Sequence, residues 1–190
     1  GVNPGFVLDS LVIALSGACQ SIEFIQAKRI VDAGKRRQAL QKKIGAGLTE
    51  EDFRKLALAK AVGHKGLKES VSMIASALGW ELTAVKELID PVIAENDLKT
   101  DFIEVKKGFV AGIKQIAVGE KSGSKLIELE LQMFVGAQNP RDEILIKGVP
   151  EISVEVKGGV SGDEATCAIA VNMVPRVLEA QKTSPGLKTM

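Results

Sequence analysis

The sequence predicts an α+β fold, a mixed and largely antiparallel sheet with helices packed on one face. Residues 4–18, 50–61 and 67–78 space their apolar side chains at helical intervals. After residue 99 the period changes to two, most plainly where Ile127, Leu129, Leu131, Met133 and Val135 alternate with Glu128, Glu130 and Gln132. A nearly all-apolar segment, "EATCAIAVNMVPRVLEA", then closes the pattern. Helices, a run of strands and a last helix imply a sheet covered on one side. The face bearing Glu128, Glu130 and Gln132 is left exposed or used for association.

Each element has a local cause. Pro4, with Phe6, Leu8, Leu11, Val12 and Leu15 behind it, predicts a largely buried first helix ending near Gly17. "SIEFIQAKRIV", residues 21–31, is rich in branched residues and predicts a strand. Thr49 is a helix cap with Glu50, Glu51 and Asp52 in the favoured first turn, and Phe53, Leu56, Ala57 and Ala61 share one face. A further helix runs from Leu67 through Val71, Ile74 and Leu78 to a stop at Gly79. "TAVKELIDPVI" reads as one or two more helical turns, ended ahead of Pro91. "GEKSGS" and "QNPRDE" are chain reversals between extended segments, and "EILIKG" and "EISVEVKGG" are the next strands. In the last helix Asp163 is the expected cap, Asn172 needs buried partners, and Pro175 should bend the axis. All-round apolarity predicts burial between layers.

A chain of 190 residues with 45% apolar content fits one domain, residues 1–180, followed by a polar tail at 181–190. Lys and Arg number 25 against 24 Asp and Glu, so no global field favours nucleic acid or an anionic membrane. Tyrosine is absent and Trp80 stands alone, which removes a stacking platform for single strands. Cys19 and Cys167 sit in separate apolar runs and read as buried free thiols; with a single His64, no metal site is expected. The apolar run Phe6 to Ala18 lacks a basic leader, is interrupted by Asp9 and is too short to span a bilayer, so a cytoplasmic protein is expected. The first residue is Gly1, not Met, and an upstream segment is therefore expected.

The stretch "DAGKRRQALQKKIGAGLTEEDF" concentrates positive charge in a nearly neutral chain. Gly45 and Gly47 with Ala46 between them, just before a capped helix, allow backbone amides to face an anion. Lys42 and Lys43 add mobile charge, and Arg36 and Arg37 can grip a planar carboxylate through paired hydrogen bonds. A plain tight turn with solvated cations explains the same residues. The stretch lacks the third glycine and preceding strand of a dinucleotide loop. His64, in the two-glycine turn "VGHKGL", is expected to be accessible, either for proton transfer or held by a structural hydrogen bond, with the structural role favoured. Glu69 and Ser70 follow on the next helix, and exposure is their default.

Several strings together are more specific. "GVNPGFVLD", "RIVDAGKRRQALQKKIGAG", "GHKGLKES", "ALGW" and "GGVSGDEATCAIAVNMVPRVLEA", with "PGLKTM" at the end, resemble the C-terminal domain of dihydrodipicolinate-reductase-like dehydrogenases, nearest the 2,4-diaminopentanoate dehydrogenase branch. The resemblance implies an NAD(P)-dependent oxidoreductase acting on an amino- or diamino-acid-like carboxylate. This chain would be its substrate-binding and oligomerisation half, and a Rossmann domain absent from the chain would bind NAD or NADP. It implies a homodimer or homotetramer formed through the sheet. Asn3, the 35–47 segment and His64 would face the nicotinamide, Lys43 and the amides of Gly45 to Gly47 would hold the substrate carboxylate, and His64 or Lys42 would move a proton. The reductase branch's paired-histidine and lysine motif leads into Asp-Ala-Pro-Ser-Gly-Thr; only Asp32-Ala33 matches here, which argues against dihydrodipicolinate itself as substrate. The competing expectation is a non-catalytic small-anion or amino-acid sensor, or an assembly domain.

Overall fold

The computed structural model describes residues 1, 2 and 4–180; Asn3 and the 181–190 tail lie outside the described residues. The elements in order are α1 (Ser10–Ser16), β1 (Ser21–Asp32), α2 (Gln38–Lys43), α3 (Glu50–Leu58), α4 (Leu67–Ala77), β2 (Ala84–Ile93), β3 (Leu98–Lys99), β4 (Glu104–Val105), β5 (Val110–Lys121), β6 (Ser124–Phe134), β7 (Arg141–Val149), β8 (Ile152–Lys157) and α5 (Gly162–Ala180). Six strands form one sheet in the order β2-β5-β6-β1-β7-β8, and β3 with β4 forms a small ribbon. Only β1 and β6 run parallel; the other neighbours in the large sheet are antiparallel. The predicted α+β class is the observed one.

The inner face carries the core. Ile25, Ala27, Ile113, Ala117, Ile127 and Leu129 project from β1, β5 and β6 against Phe53 of α3, Val71 and Ile74 of α4 and Val12 of α1, all fully or almost fully buried. The two reversals fall where turn chemistry puts them, with Ser122 and Gly123 at positive φ in the β5–β6 hairpin and Asn139 at positive φ before β7. Thr49 caps α3 by accepting from the Asp52 amide at 3.1 Å. Thr49→Ala is expected to cost about 1 kcal/mol of stability, measured by urea unfolding.

Six readings are corrected. The first helix is shorter than 4–18: Pro4 to Asp9 is mostly turn, and Asp9 caps α1. The basic stretch contains the helix α2. The segment 83–93 is a strand, because its branched residues Val85, Ile89, Val92 and Ile93 suit a pleated surface, and as the outermost strand β2 tolerates a proline that cannot donate to a ladder. Cys19 is half-buried and Cys167 exposed. Finally, α5 is mainly exposed, including Val171, Val174, Val177, Leu178 and Asn172. An all-round apolar pattern predicts a covered helix, but the pattern names no element to cover it, and among the described residues most of α5 is exposed. α5 continues through Pro175 and begins at Gly162, so Asp163 stands in its first turn and is not the cap. Among the described residues no helix is long and apolar enough to cross a membrane.

The outer sheet face is more ordered than a solvated surface. Glu130 is buried between Lys28, at 3.4 Å, and Lys114, at 3.5 Å, and Glu128 accepts from Gln26 at 2.8 Å and pairs with Lys125. Leu88 is exposed on β2 beside Ile116.

Candidate functional site

The apolar inner face is interrupted by one polar row. Pairing across the sheet aligns Ile89, Gln115, Leu131, Arg29, Asp142 and Val156, one from each strand. Gln115, Arg29 and Asp142 are each only 1% exposed. The row lies near the carboxyl ends of the parallel pair β1 and β6, and Gln115 and Arg29, two strands apart, are about 10 Å from one another.

Arg29 holds the β7 side of this floor. Its Nη1 donates to both Asp142 oxygens at 2.8 and 2.7 Å and its Nη2 donates to the Val160 carbonyl, while Asp142 also accepts the Val160 amide at 2.7 Å. Burial lowers the guanidinium from its ordinary value against the opposing pull of Asp142, and burial raises the Asp142 carboxyl against the opposing pull of Arg29. The pair therefore ties the turn before α5 to the sheet.

Beyond β1 the chain is shaped by two side chains. Asp32 accepts from the amides of Gly34, at 2.9 Å, and Gly136, at 3.0 Å, closing the strand with an Asx turn and fastening it to the loop after β6. Gln41, fully buried on α2, lies with its amide nitrogen 3.0–3.1 Å from the carbonyls of Ala33, Gly34 and Arg36, and its oxygen accepts from the Thr100 hydroxyl at 3.1 Å. The loop that presents Arg36 is thus held in one shape. Arg36 donates through Nη2 to Asp163 at 2.8 Å.

His64 sits over the opposite end of the row. Its backbone N–H donates to Gln115 Oε1 at 2.9 Å, its carbonyl accepts Gln115 Nε2 at 2.7 Å, and Gln115 also donates to Glu87 at 2.8 Å. The Gly63 amide reaches the Lys43 carbonyl at 3.3 Å, stitching this turn to the end of α2. Gly63 is at φ +92°, and a Cβ there would lie 2.8 Å from Ile89, so the turn lies flat on the strand only with glycine. His64 is 6% exposed, which corrects the expectation of an accessible turn residue. Burial, reinforced by the positive charges of Lys43, Arg29 and Arg36, lowers its imidazole to about 4, so the ring is neutral at pH 7.

The Gly45-Ala46-Gly47 proposal is also corrected. The amides of these residues bond to the carbonyls of Lys42, Gln41 and Val110 at 2.8–3.1 Å and have no donor left for an anion. Gly45 is required for a different reason: at φ +75° its Cα faces the Phe53 ring, and a Cβ would lie 2.7 Å from it. Lys42, Ala46 and Gly47 line a shallow open groove with Leu48, Leu56, Ile103 and Glu104. Successive helical residues point about 100° apart; Lys42 faces that groove, while the charge that acts on His64 is that of Lys43. Arg37 is exposed at the head of α2, Glu69 is exposed, and Ser70 is buried, donating to Asp9 at 2.9 Å. Arg36, Lys43 and His64 are thus the predicted residues that share one electrostatic environment. Sequence reasoning missed Arg29, Gln41, Gln115 and Asp142.

The fold of this α+β domain is shared with a solved structure of amine dehydrogenase from Mycobacterium smegmatis. The TM-score is 0.78 at 20% identity, covering 90% of this chain and 52% of that one. Residues 6–190 match the family model described as the 2,4-diaminopentanoate dehydrogenase C-terminal domain. The chain belongs to that family. It is 34% identical to 2,4-diaminopentanoate dehydrogenase of Acetoanaerobium sticklandii, over all of this chain and 55% of the relative's length.

Proposed function

We propose that the intact protein is an NAD(P)-dependent oxidoreductase acting on an amino- or diamino-acid-like carboxylate, and that this chain supplies its substrate-side and subunit-contact surfaces. The observation that carries this reading is a buried neutral imidazole whose protonation Lys43, Arg29 and Arg36 oppose, Lys43 being the one of the three that no carboxylate pairs with among the described residues. Such an electrostatic setting favours a carboxylate over an ammonium, which orients an amino acid. When bound, the nicotinamide would exchange a hydride with the amine-bearing carbon. The Gly45–Gly47 turn joins two helices and its amides are spent, so it does not fit the phosphates of a dinucleotide. We assign the cofactor to a Rossmann domain elsewhere in the same polypeptide, in keeping with a chain that spans about half the length of its curated relative.

Lys43→Ala in the intact enzyme is expected to raise the substrate KM about tenfold, the loss of roughly 1.4 kcal/mol of binding, while the cofactor KM stays within twofold. Equal weakening of both would overturn the reading. The outer sheet face, with its buried Glu130 clamp and exposed Leu88, is the surface we assign to subunit contact. Light scattering is expected to give a dimer or tetramer; a monomer at high concentration would remove that assignment.

A further inference from the structure

Among the described residues two buried side-chain nitrogens lack a hydrogen-bond partner, Arg36 Nε and His64 Nδ1. Native proteins leave few such groups, and each one needs a reason. The positive charge of Arg36 is one of those that keep the His64 ring neutral. Both residues are anchored to their surroundings. The Arg36 guanidinium is anchored through Nη2 to Asp163, and its loop is stapled by Gln41. The His64 backbone is gripped on both sides by Gln115.

We propose that Arg36 Nε–H and His64 Nδ1–H are the two donors of a recess that takes a single carboxylate group, with Lys43 beside them supplying charge. The inference rests on the proposed function and deepens it: His64 holds the substrate carboxylate and is not the proton carrier. Three features select this ligand. An N–H on Arg36 can only donate, so its partner is an acceptor. The charge of Lys43, which no carboxylate pairs with among the described residues, favours an anion as that acceptor. The donors come from two rigid supports, a stapled loop and a turn clamped to β5, which suits the two oxygens of a carboxylate. The neutral ring then carries its proton on Nδ1 when the anion is bound. The charges acting on the ring come from β1, the loop after it and α2, and the carboxylate Glu87 of β2 is held by Gln115. A bound carboxylate offsets those cations, so binding shifts the ring toward its protonated form.

His64 is the single histidine of the chain, so imidazole 15N spectra report one ring. Titration with sodium acetate, against sodium chloride at equal ionic strength, is expected to shift the His64 signals saturably toward the Nδ1-protonated form and to raise the pH of their midpoint. Arg36→Lys keeps the charge without the Nε–H at that depth and is expected to weaken acetate at least tenfold. Equal effects of acetate and chloride, or acetate binding unchanged in Arg36→Lys, would overturn the proposal. In the intact enzyme His64→Gln is expected to raise the substrate KM with kcat nearly unchanged. A fall in kcat at unchanged KM would make His64 the proton carrier, overturning this inference while leaving the oxidoreductase reading intact. Failure of the intact enzyme to oxidise any amino carboxylate would overturn that reading, and the acetate titration would still decide the recess.

Discussion

Replacing Asp142 with alanine is expected to lower stability by about 3–5 kcal/mol, the largest effect of any substitution considered for this chain. The side chain removed neutralises a guanidinium that is 1% exposed, and it also accepts the Val160 amide. Water cannot restore either interaction at that depth, so the cost is that of a buried charge deprived of its counter-charge together with a buried donor. The pair itself need not be strongly stabilising, because desolvating two ions offsets most of their attraction. Arg29→Met combined with Asp142→Leu is therefore expected to recover more than half of the loss. Urea unfolding of the three proteins measures this, and a single substitution no worse than the double would refute it.

The polar row explains which parts of the site were legible in the sequence. Arg29 lies in phase with Ile25 and Ala27, and Asp142 with Ile144 and Ile146, so the two-residue period already placed both on the inner face. A charged residue in phase with core residues on each of two strands signals a buried pair, although nothing in the sequence aligns the two strands. Gln41 gave no such signal: among basic residues it reads as solvated, and its burial comes from the folding-back of the Ala33–Arg36 loop. His64 was misread for the same kind of reason, since the clamp that buries it is Gln115, which is remote in sequence and set by the β2–β5–β6 pairing. The glycines of 45–47 were noticed because they are glycines, but packing against Phe53 and internal turn bonds account for them. The fold class was legible because the change from helical to alternating period is long and repeated. The 83–93 segment was not, because Val85, Leu88, Ile89 and Val92 fit a helical stripe nearly as well as a strand, and only the open edge of β5 decides between them.

Stability is expected to fall by about 2 kcal/mol between pH 7 and pH 5 through His64 alone. The folded ring titrates near 4 and the unfolded ring near 6.5. Between these values the unfolded chain binds a proton that the folded chain refuses, so stability rises with pH across the window. The contribution is complete above about 6.5 and lost as the pH falls toward 4. Its cause is first burial and then repulsion by Lys43, Arg29 and Arg36, so screening by salt should reduce it only in part. Urea unfolding at pH 7 and pH 5 tests this against His64→Gln, whose amide does not titrate. The variant is expected to lose most of the pH difference whatever its absolute stability, whereas an equal difference in both proteins would show that carboxylates and not this ring set the acid limit. The same experiment bears on the recess between Arg36 and His64. A carboxylate lodged there offsets the cations and lifts the folded ring toward its ordinary value, so saturating acetate should flatten the parent chain's slope between pH 5 and pH 7 and leave that of His64→Gln unchanged.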